Sequence, residues 1–133
     1  MPRILVVDDQ QDVRAMISMI LRVNRFEVTE ADSVKAGLKE FEASDFAAAV
    51  VDIFLKDENG FDLIDVLRER SPNLPIVAVS GMATLNAVVR SSDLSDIICL
   101  QKPFRPVDLM RAIETARGSV GQDNGGAPSK LAV

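Results

Sequence analysis

The chain predicts an α/β fold, a doubly wound five-stranded parallel sheet with five helices. Three observations point there. Five short apolar runs alternate with five longer segments of helical period, and strand-helix alternation of this kind builds a parallel sheet covered on both faces. With 133 residues, 47% of them hydrophobic, there is enough apolar material for one core and too little for two. Finally, the residues that end the apolar runs are polar and chemically complementary: Asp8, Asp9, Asp52, Ser80 and Lys102.

Ile4-Leu5-Val6-Val7 reads as a buried strand from its length and β-branched content. Val13, Met16, Ile17, Ile20 and Leu21 then recur at i, i+3, i+4, i+7 and i+8, the stripe of an amphipathic helix. Glu27–Ala31 is the second strand. Val34, Gly37, Leu38 and Phe41 mark the second helix, with Asp32 or Ser33 as its cap. Ala47–Val51 is a third strand that runs into Asp52. A loop follows, and Gly60 introduces a helix carrying Phe61, Ile64 and Leu67, which Pro72 and Pro75 stop. Ile76–Ser80 is the fourth strand, followed by a weakly striped helix at about Thr84–Arg90. Ile97–Gln101 is the fifth. Pro106 suits the first position of the last helix, where no N–H donor is needed, and Leu109, Met110 and Ile113 continue its core stripe. Right-handed crossovers leave few topologies for five such units, and the flavodoxin-like order 2-1-3-4-5 is expected. From Gly118 onward, glycine and small polar residues cannot bury enough surface to offset ordering, so residues 118–133 are expected to form a flexible tail after a domain of residues 1–117.

Composition excludes several functions. The net charge is −5 and Lys and Arg nowhere form a run, so no duplex-binding surface and no direct nucleic-acid contact is expected. The single cysteine, Cys99, cannot close an internal disulfide, and without any histidine it cannot complete a structural zinc site. Asp8-Asp9 interrupts the first apolar run, which is therefore neither a signal peptide nor a membrane span. A cytoplasmic protein without membrane contact is expected.

In a sheet of this kind ligands bind at the carboxyl ends of the strands, where the first and third strands diverge. Three carboxylates converging there raise one another's pKa unless a cation intervenes. With no histidine or thiolate beside them, an all-oxygen site points to Mg2+ or a similar hard ion. Mg2+ commonly takes one or two carboxylates together with phosphate oxygens, which suggests phosphoryl chemistry. Asp52 would act as nucleophile, while the Ser80 hydroxyl and the Lys102 ammonium hold the remaining phosphoryl oxygens. Each residue alone has a bland explanation: a solvated turn, a loop start, a hydroxyl bonded to its own backbone, a surface charge. Their coincidence at successive strand ends carries the functional reading.

Taken together, Leu5-Val6-Val7-Asp8-Asp9, Val50-Val51-Asp52 with Gly60 after the loop, Val79-Ser80-Gly81 and Gln101-Lys102-Pro103-Phe104 resemble the response-regulator receiver family over roughly Arg3 to Arg117. The resemblance implies that Asp52 is the phosphoacceptor and a direct Mg2+ ligand. It implies Asp9 as a direct ligand, Asp8 as one acting through water, and the backbone carbonyl of Phe54 as a further ligand. Lys102 would pair with Asp52 before phosphorylation and with a phosphoryl oxygen after it, Ser80 would turn to the phosphoryl group, and Lys102-Pro103 would be cis. Phosphorylation would then shift the population toward an active conformer. Four departures from the family stand out. Cys99 occupies the position of its usual switch aromatic, Lys56 that of a common proline, and Leu94-Ser95-Asp96 replaces a stretch of small residues. Phe54 and Met82, each two residues beyond a site residue, are bulky and apolar and are candidates for shielding the acyl phosphate from water.

The resemblance also implies a histidine kinase or phosphotransfer protein as phosphoryl donor and a downstream protein target. Ala15, Met19 and Arg22, opposite the core stripe of the first helix, are either ordinary surface or a docking patch for that donor. Three rivals are open on sequence: the receiver part of a longer transcription factor or enzyme, a phosphohydrolase of the haloacid dehalogenase type, and an interaction domain without signalling. The second expects Asp-x-Asp on its first strand, where this chain has adjacent Asp8-Asp9. The third leaves the full set of strand-end residues without a purpose.

Overall fold

The computed structural model describes residues 1–81 and 97–120. Along the chain these form β1 (Arg3–Val7), α1 (Gln11–Val23), β2 (Glu27–Ala31), α2 (Val34–Ala43) and β3 (Ala48–Asp52). A short hairpin of β4 (Phe54–Leu55) and β5 (Glu58–Asn59) follows, then α3 (Gly60–Arg70), β6 (Ile76–Ser80), β7 (Ile98–Gln101) and α4 (Pro106–Val120). β1, β2, β3, β6 and β7 make one sheet, every pairing in it parallel, in the order β2-β1-β3-β6-β7. With the hairpin set aside, this is the expected 2-1-3-4-5. The expected helix at about Thr84–Arg90, Met82 and Leu94-Ser95-Asp96 lie outside the described residues.

Alternation along the strands divides the core between the two faces of the sheet. Leu5, Val7, Ala49, Val51, Ile76 and Ala78 pack with Leu63, Ile64 and Leu67 of α3. Ile4, Val6, Ala48, Val50, Val77 and Val79 pack with Ile17 and Leu21 of α1 and with Leu109 and Ile113 of α4. β3 and β6 are buried throughout, as continuous apolar runs require. Each fully buried Leu or Ile contributes roughly 1.5–3 kcal/mol, so two layers fix the strand ends firmly. β2 lies at the sheet edge, and its exposed Glu27 and Glu30 suit an edge strand.

Local differences from the expected pattern have simple causes. The buried face of α1 is centred on Ile17 and Leu21 and takes in Ser18, one turn before Leu21, so Ser18 is buried while Met16 falls at the rim, 40% exposed. Pro106 opens α4 but is exposed, because the core face begins at Leu109 and continues through Ala112, Ile113 and Ala116. α4 runs to Val120, three residues past the expected domain end at Arg117. The segment after Asp52 is a hairpin rather than an open loop, turning through Asp57 at φ 60°, a left-handed conformation that Asp tolerates.

Ser33 caps α2, its hydroxyl accepting from the Ala36 N–H at 3.1 Å, and the Glu58 carboxylate accepts from the Val34 N–H at 3.0 Å. A carboxylate at a helix N-terminus satisfies an orphan donor and opposes the helix dipole. Glu58→Ala is therefore expected to lower stability by about 0.5–1 kcal/mol in urea denaturation, the range for one capping carboxylate. Unchanged stability would show that this link between hairpin and helix contributes nothing.

Candidate functional site

The sheet order brings the site together. β1 and β3 are neighbours with Val7 opposite Val51, so Asp8 and Asp52 leave the sheet side by side. Carboxylate oxygens of Asp8, Asp9 and Asp52 all lie within 4.8 Å of one another. β6 lies on the other side of β3, with Asp52 opposite Val79, which sets the fully buried Ser80 at the same edge. Lys102 follows β7, and its backbone N–H donates to the Ser80 carbonyl at 2.7 Å. The expected cis peptide between Lys102 and Pro103 is present.

Lys102 joins the two buried acids. Its Nζ donates to Asp8 Oδ2 at 3.1 Å and to Asp52 Oδ2 at 3.2 Å. Backbone donors fix the other oxygens. Asp52 Oδ1 accepts from the Phe54 N–H at 3.0 Å, Asp8 Oδ1 from Gln10 at 2.8 Å, and Asp9 Oδ2 from Lys56 at 2.6 Å. These bonds, local turns for Asp8 and Asp52 and a contact with the hairpin for Asp9, hold each carboxylate in a defined direction before any ligand arrives. Gly60 lies directly behind Asp52. Its N–H donates to the Ile53 carbonyl at 2.7 Å, and a Cβ placed on it would stand 2.1 Å from the Asp52 backbone oxygen.

Burial and the neighbouring Asp8 charge raise the pKa of Asp52, against the lowering influence of Lys102 and the Phe54 N–H. Burial alone would lower the pKa of Lys102, but the charges of Asp52 and Asp8 outweigh it and raise the value above that of a free ammonium. One ammonium thus serves two of the three clustered carboxylates, and Asp52 stays under strain as an anion. An all-oxygen set with one cation too few fits a hard divalent ion such as Mg2+. Soft or imidazole-preferring metals would find no sulfur or nitrogen donor in this cluster.

The remaining sequence candidates fall in different places. Phe54 opens the hairpin beside the pocket with 46% of its surface exposed. Cys99 is half-buried against the core on the α3 face of the sheet, and burial raises its thiol pKa, which argues against a reactive thiolate. Ala15, Met19 and Arg22 are all exposed on α1, and Met16 joins them. Arg22 also reaches Glu30 at 3.7 Å. Next to this face, Val13, Met16, Pro103 and Phe104 line a shallow apolar depression with the stem of Lys102.

Three contributors escaped sequence reasoning. The backbone N–H groups of Gln10 and Lys56 carry no side-chain signal at all. Arg14, which donates to the Asp8 carbonyl at 2.7 Å, did leave one: a cation within the apolar stripe of α1, beside Val13 and three residues before Ile17.

Comparison with known proteins agrees with this geometry. A family model described as the response regulator receiver domain matches residues 4–114. The photosynthetic apparatus regulatory protein RegA of Cereibacter sphaeroides is 33% identical over 83% of this chain and 60% of its own length. A putative NtrX-like response regulator of Rickettsia bellii is 27% identical over 85% of this chain and 24% of its own length. The crystal structure of a CheY-like response regulator receiver domain protein from Methanospirillum hungatei superposes with a TM-score of 0.82. It is 28% identical and covers 92% of this chain and 98% of that one. This chain therefore spans between about a quarter and about three fifths of the two curated relatives.

Proposed function

The chain belongs to the response regulator receiver domain family, a class of two-component signalling switches, and we propose that it accepts a phosphoryl group on Asp52 from a phosphohistidine with Mg2+ bound beside it. The observation that carries this reading is the bridge of Lys102 between Asp8 and Asp52, within a cluster whose carboxylate oxygens all lie within 4.8 Å of one another.

Asp52 is the nucleophile. One of its oxygens forms the new P–O bond as the P–N bond of the donor phosphohistidine breaks, and the electron pair of that bond returns to the imidazole nitrogen. Asp8, Asp9, Asp52 and the Phe54 carbonyl would hold Mg2+, which supplies charge neutralisation for the phosphoryl oxygens. Lys102, already 3.2 Å from Asp52, transfers its hydrogen bond to a phosphoryl oxygen. Ser80 supplies a hydroxyl donor to another. The new contacts favour an active conformer, and the readout differs from a switch that turns a ring, because Cys99 stands at that position. Phe54 and Met82 shield the acyl phosphate from water.

The exposed face of Ala15, Met19 and Arg22 docks the histidine kinase or phosphotransfer protein, and a downstream protein target reads the phosphorylated state. The reaction is confined to the domain's own phosphorylation and dephosphorylation. Among the described residues no helix is long and apolar enough to cross a membrane, and a cytoplasmic setting is proposed. The residues that follow α4 act as a tail or as the first part of a linker. The greater length of the relatives supports a second reading at the level of the whole protein, in which this receiver is the N-terminal part of a longer transcription factor or enzyme. Any DNA contact would then belong to the attached region.

Beryllofluoride, a phosphoryl mimic, tests the assignment by two-dimensional NMR in the presence of Mg2+. Amide shifts of Ser80, Gly81 and Lys102 are expected in the wild type and not in Asp52→Asn. Equal shifts in both proteins would remove Asp52 from its assigned role.

A further inference from the structure

We propose that Arg14 is a positioning residue for the acidic pocket, fixing the Asp8-Asp9 peptide so that both carboxylates meet the divalent cation; this rests on the Mg2+ reading above. Arg14 lies in the first turn of α1 with only 16% of its side chain exposed. Its guanidinium spans two elements, Nη1 donating to the Asp8 carbonyl at 2.7 Å and Nε to Glu30 Oε1 on β2 at 3.0 Å. On the other side of the Asp8 Cα, the Asp8 N–H donates to the Ala31 carbonyl at 3.1 Å.

Both peptide groups flanking Asp8 are therefore held, one by β2 and one by Arg14. The second anchor is needed because the regular pairing of β1 ends at Val7. Past that point no strand neighbour orients the Asp8 carbonyl, and rotation about the bond leading to it would swing Asp9 with it. The Asp9 carboxylate has its own tie to the hairpin through the Lys56 N–H, but that bond fixes the side chain and not the peptide. Two donors at a fixed angle suit a guanidinium and not an ammonium, so lysine would keep the charge and lose the fork. Glu30 completes the strut by holding Nε, and Arg22 approaches the same carboxylate at 3.7 Å.

Charge and geometry predict opposite signs for the loss of Arg14. A cation beside three acids opposes an incoming Mg2+, so deleting it for charge reasons alone would tighten metal binding. Deleting an orienting group weakens it, by about 10–100-fold for partners of metal ligands in general.

The test is calorimetric titration of the full chain with Mg2+, with circular dichroism to establish that each variant is folded. Arg14→Met and Arg14→Lys are both expected to lose about tenfold or more in Mg2+ affinity, and Glu30→Gln to lose less. Unchanged or tighter binding by folded Arg14→Met overturns the role. Should that variant fail to fold, Arg14→Lys, which keeps the charge and most of the stem, decides by the same criterion. A wild type that binds no Mg2+ overturns the metal reading itself, whereas normal wild-type binding with unaltered variants overturns only the part assigned to Arg14.

Discussion

Gly60→Ala is expected to destabilise the domain by about 3 kcal/mol, lowering the melting temperature by roughly 10–20 °C. At the start of an ordinary helix the same change would be neutral or favourable, since alanine is the better helix former. Here the added Cβ would lie 2.1 Å from the Asp52 carbonyl oxygen and 2.8 Å from the Ile53 Cα. Both obstacles are backbone, in a fully enclosed position, so no rotamer change relieves them. The chain has to move α3 or the end of β3, and the second displaces Asp52. Phosphorylation is expected to fall along with stability. Gly81 provides the contrast, because among the described residues the nearest neighbour to an added Cβ is the Lys102 Cβ at 3.9 Å, an ordinary contact. Gly81→Ala should stay within about 0.5 kcal/mol of wild type. Thermal melts of the two variants check this, and equal melting temperatures would contradict the close approach behind Asp52.

Lys102→Met is expected to cost about 3–5 kcal/mol at neutral pH without Mg2+, the range for removing one partner from a buried ion pair. Methionine replaces the stem, so the loss is chiefly the ammonium that bridges Asp8 and Asp52. The pH dependence has a definite sign. The folded pKa of Asp52 lies above that of a free carboxylate, so the folded state binds its proton more tightly than the unfolded state does. The penalty for holding Asp52 ionised is therefore absent at pH below the ordinary carboxylate value and complete above the raised one. Removing Lys102 takes away an influence that lowers this pKa, so the deficit of Lys102→Met should shrink as pH falls from the variant's still higher Asp52 pKa to the raised wild-type value. Urea midpoints at several pH values measure it. A deficit that is constant with pH would mean that Lys102 acts through packing rather than charge. In the wild type the stability linked to the raised pKa of Lys102 itself is present at neutral pH and is lost as pH rises through that raised value. Mg2+ should recover part of the stability of Lys102→Met by supplying the missing positive charge.

Most of the fold was legible because burial on both faces writes β3 and β6 as continuous apolar runs, and because the helices between strands keep a 3.6-residue period. The site was legible for a related reason. Asp8, Asp52, Ser80 and Lys102 stand where apolar runs stop, and the sheet order that follows from strand-helix alternation makes those stops converge. Where reading failed, the cause is local. Two-residue strands such as Phe54–Leu55 and Glu58–Asn59 are too short to show any period, so the hairpin read as a loop. Met16 and Ser18 flank the same buried stripe, and hydrophobicity favoured Met16 although helix geometry turns Ser18 inward. Backbone donors from Gln10 and Lys56 leave no residue-type signature. Arg14 leaves only the signal of a cation within an apolar stripe, because its partner, the Asp8 carbonyl, is invisible in a side-chain pattern.

The central claim is that Asp52 accepts a phosphoryl group with Mg2+ at hand, and intact-mass measurement after incubation with acetyl phosphate tests it most directly. A single phosphoryl adduct is expected in the wild type, dependent on Mg2+, and absent from Asp52→Asn. An adduct of equal yield in Asp52→Asn, or one indifferent to removal of Mg2+ by a chelator, would contradict it.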